Sequence, residues 1–309
     1  MLKPKALKKG DTIGILSPAS PIEAKQQASF ENGIYLLKNL GYNVKLGKNS
    51  LKSSGYLAGS DKERACDLME MFQDKNINAI ICSRGGYGTE RLLSYLDFNI
   101  ISHNPKIFAG YSNISFLLNI FTQYCGFVTF HSPMIINIGE SPTGYNTNNL
   151  IETVSLYKRS FILGTQSEGR PPDTPASKAD GILIGGNLTT ILGTIGTKYE
   201  INTKDCILFL EEVNEEAYAI DRMLTFLKNI GKLDVCKGFI LGDFTDCSES
   251  SGKTVSDVIE DIILPMNKPV ILSFKSGHGK VKPTLPFGAN VEIDVQTGTV
   301  HVLEPVIAL

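Results

Sequence analysis

The sequence predicts an α/β fold in two lobes, and three observations carry that prediction. Short apolar runs alternate with segments of helical period, and a proline-rich polar stretch divides the alternation in two. The length of 309 residues exceeds the roughly 100–200 of one ordinary domain.

The elements follow in order. TIGIL at 12–16 is apolar and ends in SPAS, as a strand opening into a polar loop does. Ile34, Leu37 and Leu40 recur at helical spacing before Gly41, which predicts a helix over 30–40 with a glycine stop. YNVKL reads as the next strand. Ala65, Leu68, Met69 and Phe72 share one face of a helix over 61–72, and the run 79–82 follows as a buried strand. SRGGYGTERLL is a glycine-rich turn entering a helix; KIFAG is a buried strand entering GYSN and a helix from about 114 to 122. Strands alternating with helices in this way predict a mostly parallel sheet flanked by helices, as in flavodoxin- and Rossmann-type folds.

Residues 1–140 form this first lobe, and 141–179, containing SPTGYN and EGRPPDTPASKAD, form a linker or crossing. Residues 180–309 form a smaller mixed α/β lobe. There GILIGGNLTTILGTIGT reads as strand, turn and helix, and CILFLEE, AYAIDRMLTFLKNIGKL and GFILGDF continue the alternation. VSDVIEDIILPM is a helix, VILSF a strand leading to KSGHG, and NVEIDVQTGTVHVL alternates around Thr-Gly as a terminal hairpin.

Composition excludes several function classes. Thirty Lys and Arg against 32 Asp and Glu leave a formal charge of −2, with no basic surplus for nucleic acid or an anionic membrane. A small or peptide-like ligand is expected. Six cysteines, spaced 11 to 81 positions apart without a C-x-x-C pair, predict reduced thiols and no structural metal site. No run approaches the roughly 18 apolar residues of a membrane span, and the start lacks the apolar core of a signal peptide. The expected location is the cytoplasm.

Strand ends beside glycines are where an α/β sheet assembles a site. Ser112, after KIFAGY, stands at a strand-to-helix turn that holds a hydroxyl out of the sheet and sets helix-terminal amides beside it. A serine there is also a favourable helix cap. Its activation needs a base. Of four histidines, His103 and His301 are expected at the surface; His131 ends an apolar run and His278 lies between two glycines in a turn. The turn favours His278, since flanking glycines leave the imidazole room, and a structural histidine is the alternative for either. Glu211 and Glu212 end a strand, and alternation lets at most one of them orient an imidazole. The loop Ser83-Arg84-Gly85-Gly86-Tyr87-Gly88 offers backbone amides to a phosphate or oxyanion but lacks the P-loop and dinucleotide patterns. Gly185-Gly186-Asn187 is a similar, less specific turn.

SRGGYGTERLLSYLD, the Gly110-Tyr-Ser112 turn, HSPM, GGNLTTILGTIGT, ILFLEEVNEEAYAIDRMLTFL and GHGKVKPTLPFG, in this order, resemble the LD-carboxypeptidases, the murein tetrapeptide carboxypeptidase family of serine peptidases. The resemblance spans nearly the whole chain. It implies Ser112 as nucleophile in the first lobe, with His278 as base and Glu211 as its orienter supplied by the second. It implies an oxyanion hole from the backbone amides of Asn113, Gly85 and Gly86. No metal or cofactor, a homodimer, and cytoplasmic removal of a terminal D-alanine from muropeptide tetrapeptides in peptidoglycan recycling are implied as well. Tyr111 and Asn187 are substrate-binding candidates, and Arg84 is a candidate fork for the terminal carboxylate or a brace of its loop.

Two departures bear on substrate choice: Asn113 stands where the family commonly has Asp, and HSPM, with Ser132, replaces HGPM. Two alternatives stand beside this reading. One is the related microcin self-immunity peptidase, which cuts a peptidyl-nucleotide amide; the absence of tryptophan and the compact interval between Glu211 and His278 lean against it. The other is a non-catalytic binder of muropeptide or nucleotide.

Overall fold

The computed structural model describes residues 1–140, 144–163 and 177–309. The strands are β1 (Thr12–Leu16), β2 (Asn43–Leu46), β3 (Ile77–Cys82), β4 (Ile107–Gly110), β5 (Thr129–His131), β6 (Phe161–Leu163), β7 (Lys178–Asn187), β8 (Cys206–Val213), β9 (Gly238–Thr245), β10 (Val270–Ile271), β11 (Leu285–Phe287), β12 (Asn290–Asp294) and β13 (Thr299–Val302). The α-helices are α1 (Gln27–Asn39), α2 (Asp61–Gln73), α3 (Phe98–His103), α4 (Ser115–Cys125), α5 (Ile135–Glu140), α6 (Tyr145–Ser155), α7 (Leu188–Leu192), α8 (Ala217–Asn229) and α9 (Val255–Ile262). The chain divides into two compact units: Met1–Lys158 with Pro283–Phe287 and Pro305–Leu309, and Arg159–Lys282 with Gly288–Glu304.

Unit 1 holds a six-stranded sheet in the order β11-β5-β4-β3-β1-β2. It is parallel except at β11, which pairs antiparallel with β5. The central strands β1, β3 and β4 are mainly apolar and buried, whereas the edge strand β2 is polar and largely exposed. Phe72 of α2, Phe108 of β4 and Phe121 of α4 meet with ring centroids 5.0–5.9 Å apart and are fully buried, so truncating Phe121 to alanine should cost about 3–5 kcal/mol. A capping box starts α2: Ser60 Oγ accepts the Glu63 N–H, and Glu63 Oε2 accepts the Ser60 N–H. The strands' common direction delivers the Ser83–Gly88 loop and the Tyr111–Ser112 turn to the carboxyl edge of the sheet.

Unit 2 holds a mixed seven-stranded sheet, β10-β9-β8-β7-β12-β13-β6, parallel from β10 to β7 and antiparallel beyond. Leu208, Leu210 and Phe239 pack with Leu188, Ile220 and Leu224 into one apolar cluster under α7 and α8. The terminal hairpin is β12–β13, its turn closed by Asp294 Oδ1 accepting from the Gln296 and Thr297 N–H groups.

Local differences from the sequence reading have physical reasons. Thr89–Tyr95 is a 3-10 helix, and a 3-10 turn at Ser112–Ile114 precedes α4. In VILSF only Val270–Ile271 pairs as a strand, since Ser273 adopts φ 52° and turns the chain. The expected crossing at 141–179 contains α6 and the three-residue strand β6, both too short to stand out from the polar texture around them; its residues 141–143 and 164–176 lie outside the described residues. The chain also returns to unit 1 at 283–287, where β11 completes the first sheet. All six cysteines are free, and no helix among the described residues is long and apolar enough to cross a membrane.

Candidate active site

In unit 1 the backbone builds the surroundings of Ser112. The residue stands just beyond β4, after Tyr111, and sits at φ 61°, a left-handed conformation that a non-glycine residue adopts at a steric cost. Such a turn lifts the side chain out of the sheet, and Ser112 is half-buried while its neighbours are buried. Gly85 explains why the facing loop is glycine: a Cβ there would lie 2.8 Å from Ser112 Cβ and 3.0 Å from Ser112 Oγ. The loop therefore touches the serine with bare backbone. Ser20 secures it, its N–H donating to Gly85 O at 3.3 Å and its Oγ accepting the Tyr87 N–H at 3.2 Å.

Asn113 is tied to the helix that follows this loop. Its Oδ1 accepts the Thr89 N–H at 3.0 Å, and its Nδ2 donates to Glu90 Oε1 at 2.6 Å. A carboxamide satisfies both partners, whereas an aspartate would face Glu90 with a like charge; the departure at this position thus has a local reason. Ser132 is buried outside the left-handed region, so its Cβ brings no backbone strain, and its N–H donates to Gly110 O at 3.0 Å.

Arg84 braces the loop. Its Nη1 donates to Pro21 O at 3.1 Å and to Glu23 Oε1 and Gln26 Oε1 at 2.7 Å each. Of the two roles left open by the sequence, the geometry favours this one. Tyr111 is buried with its ring edge-on to His131, which stacks in turn on Phe287. His131 is thus an aromatic core residue at 2% exposure.

In unit 2 buried charge does the positioning. Glu211, fully buried at the end of β8, accepts from His278 Nδ1 at 2.7 Å. Because a carboxylate only accepts, Nδ1 carries the proton, and a neutral imidazole then presents Nε2 as a base. Burial pushes the Glu211 carboxyl above its ordinary range, the neighbouring Glu212 adds to this, and His278 and Lys282 oppose it. Its Oε1 is buried without a hydrogen-bond partner among the described residues. Glu212, one position on, goes the other way: Oε2 accepts the Thr189 N–H at 2.8 Å at the start of α7, and Oε1 accepts from Asn187 Nδ2 at 2.7 Å. Asn187 also caps α7 through Oδ1, which accepts the Thr190 N–H. Its carboxamide is a structural link.

The turn carrying His278 differs from the sequence reading in one respect. Gly277 has φ 128°, and a Cβ on it would stand 2.8 Å from Glu211 Oε2. It is glycine so that the turn can close onto the buried carboxylate, not to leave the ring free. Two further residues hold this turn and were not singled out from sequence: Asp243, at the end of β9, and Lys282. A lone acid and a lone lysine carry no periodic signal. Among the described residues no cluster of three or more His, Cys, Asp or Glu is arranged to hold a metal ion.

Residues 13–132 match the LD-carboxypeptidase N-terminal domain and residues 180–293 the LD-carboxypeptidase C-terminal domain. A probable murein peptide carboxypeptidase of Bacillus subtilis is 38% identical over 303 residues, covering 96% of this chain and 93% of that protein. The murein tetrapeptide carboxypeptidase of Pseudomonas aeruginosa is 28% identical over 288 residues, covering 91% and 92%. Among solved structures, the microcin C7 self-immunity protein MccF in complex with aspartyl sulfamoyl adenosine superposes with a TM-score of 0.91 at 26% identity, over the whole of both chains.

Proposed function

The chain belongs to the LD-carboxypeptidase family, and from that premise we propose that it is a serine carboxypeptidase removing the terminal D-alanine from muropeptide tetrapeptides during peptidoglycan recycling in the cytoplasm. The observation that carries the reading is the buried Glu211–His278 pair at 2.7 Å, a carboxylate-oriented imidazole, in a chain that also holds a serine in a strained strand-to-helix turn.

In the proposed reaction Ser112 Oγ attacks the carbonyl preceding the D-residue while His278 Nε2 takes its proton. Glu211 stabilises the imidazolium that forms, and the N–H groups of Asn113 and the Gly85–Gly86 turn receive the oxyanion. The C–N bond then breaks, the departing amine takes the proton from His278, and water hydrolyses the acyl-serine with the same base.

Ser112→Ala should abolish D-alanine release from tetrapeptide, followed by mass, with the melting temperature retained. Release at the wild-type rate would remove the serine from the mechanism.

A second reading is favoured by the MccF superposition: cleavage of a peptidyl-nucleotide amide. Offering aspartyl sulfamoyl adenosine and tetrapeptide side by side decides between them. The carboxypeptidase reading expects turnover of the tetrapeptide and selectivity for D over L at its last residue.

A further inference from the structure

Lys282 and Asp243 hold the turn that carries His278. Lys282, only 7% exposed, folds its ammonium back along the chain, where Nζ donates to Gly277 O at 2.9 Å and to Gly279 O. These carbonyls belong to the residues on either side of His278. A further bond runs from the Gly279 N–H to the carboxylate of Asp243, whose own N–H donates to Ser276 O at 2.8 Å. One ammonium therefore brackets the histidine, and one strand end anchors the same turn.

Burying an ammonium is unfavourable unless its donors are used, and here they are spent on the two peptide groups that set the direction of the imidazole. Gly277 must also close on Glu211, so the carbonyl that Lys282 grips belongs to the residue packed against the carboxylate. We propose that Lys282 is the positioning residue for the general base, fixing the 277–279 turn so that His278 keeps Nδ1 on Glu211 and presents Nε2 in one direction. This rests on the assignment of His278 as base made above.

The charge of Lys282 acts in the same sense as its bonds. The charged groups facing Glu211 are His278, Glu212 and Lys282, and those facing Asp243 are Lys275, Lys282 and His278. Within the first group the ammonium helps keep Glu211 ionised against the push of burial.

The test compares Lys282→Met and Lys282→Arg with wild type. K282M should lower kcat about a hundredfold, with KM changed less than about threefold, because the bound substrate meets a misdirected base. The acid limb of kcat/KM against pH should move upward, since Glu211 without the ammonium takes up its proton at higher pH. The downfield proton NMR signal of His278 Nδ1–H, bonded to the carboxylate, should broaden or vanish. K282R should recover most of each. Absence of any of the three changes in K282M overturns the proposal. If K282M lacks a cooperative melting transition, Lys282→Gln, which keeps a donor without the charge, is judged by the same three readings. Should wild type neither release D-alanine nor be labelled at Ser112 by a fluorophosphonate, the functional reading fails, and the Nδ1–H signal alone decides the role of Lys282.

Discussion

Ser112 is held by backbone, at φ 61° with the Gly85 loop close enough to exclude a Cβ. His278 is held by buried charge, its ring on Glu211 and its flanking carbonyls on Lys282. The two turns therefore fail in different ways. Steric change should spoil the first while leaving titration alone, whereas electrostatic change should spoil the second with its shape intact. In the proposed reaction the serine needs only a fixed direction, which packing supplies. The histidine would change protonation in each turnover, so its supports must also choose which nitrogen carries the proton.

The largest expected break in this contrast is Glu211→Gln. The amide fills the same buried space but no longer specifies the Nδ1–H tautomer, so kcat should fall by about 10⁴. Glu212→Gln, next in sequence, tests whether position or chemistry matters. Glu212 caps α7, so the variant should lose stability of about 1 kcal/mol and keep kcat within a few-fold. Parallel kinetics and urea midpoints read both; equal kinetic losses would erase the distinction between the two carboxylates.

Next in size is Gly85→Ala on the serine turn. A methyl group 2.8 Å from Ser112 Cβ forces the loop or the serine to shift, and a displacement approaching 1 Å is worth about a hundredfold in rate. The pH profile should keep its shape. A displaced acid limb in G85A would mean that the two turns are not separable in this way.

The same contrast explains what the sequence revealed. TIGIL, residues 79–82 and KIFAG were legible in unit 1 because burial makes these runs mainly apolar, and the Ser112 turn was legible because strand, Gly and helix follow one another locally. Three-residue strands such as β5 and β11 were not: they are too short to show a period, and β11 joins the sheet only by pairing with β5 across more than 150 residues. His278 and His131 were distinguishable only in part. Both follow apolar runs, and what separates them is that Glu211 reaches one while the rings of Tyr111 and Phe287 enclose the other. Arg84 likewise took its meaning from Glu23 and Gln26, some 60 positions away.

Asn113→Asp is a smaller test, on the serine turn. It sets a carboxylate against Glu90 Oε1, now 2.6 Å from Nδ2. A loss of about 1–3 kcal/mol in urea unfolding is expected at pH 7, shrinking as the pH falls and one of the two acids is protonated. Glu90→Gln in the same chain should return most of it.

The smallest effect returns to Glu211 and concerns stability. Burial raises its folded-state pKa above the ordinary carboxyl value, so the folded protein binds that proton more tightly than the unfolded chain does. The resulting stability is fully present below the ordinary carboxyl range and is lost as the pH rises through the raised value. Glutamine does not titrate, so Glu211→Gln should gain on wild type with rising pH, reaching an advantage of about 1 kcal/mol near neutrality. Urea midpoints for both proteins at pH 5 and pH 8 measure it. A variant that is inactive yet more stable at pH 8 would identify the buried carboxylate as a group kept for orienting His278 at the expense of the fold. If the gap instead closed or reversed with rising pH, His278 and Lys282 would more than offset the burial of Glu211, and the pair would be a stabilising element in its own right.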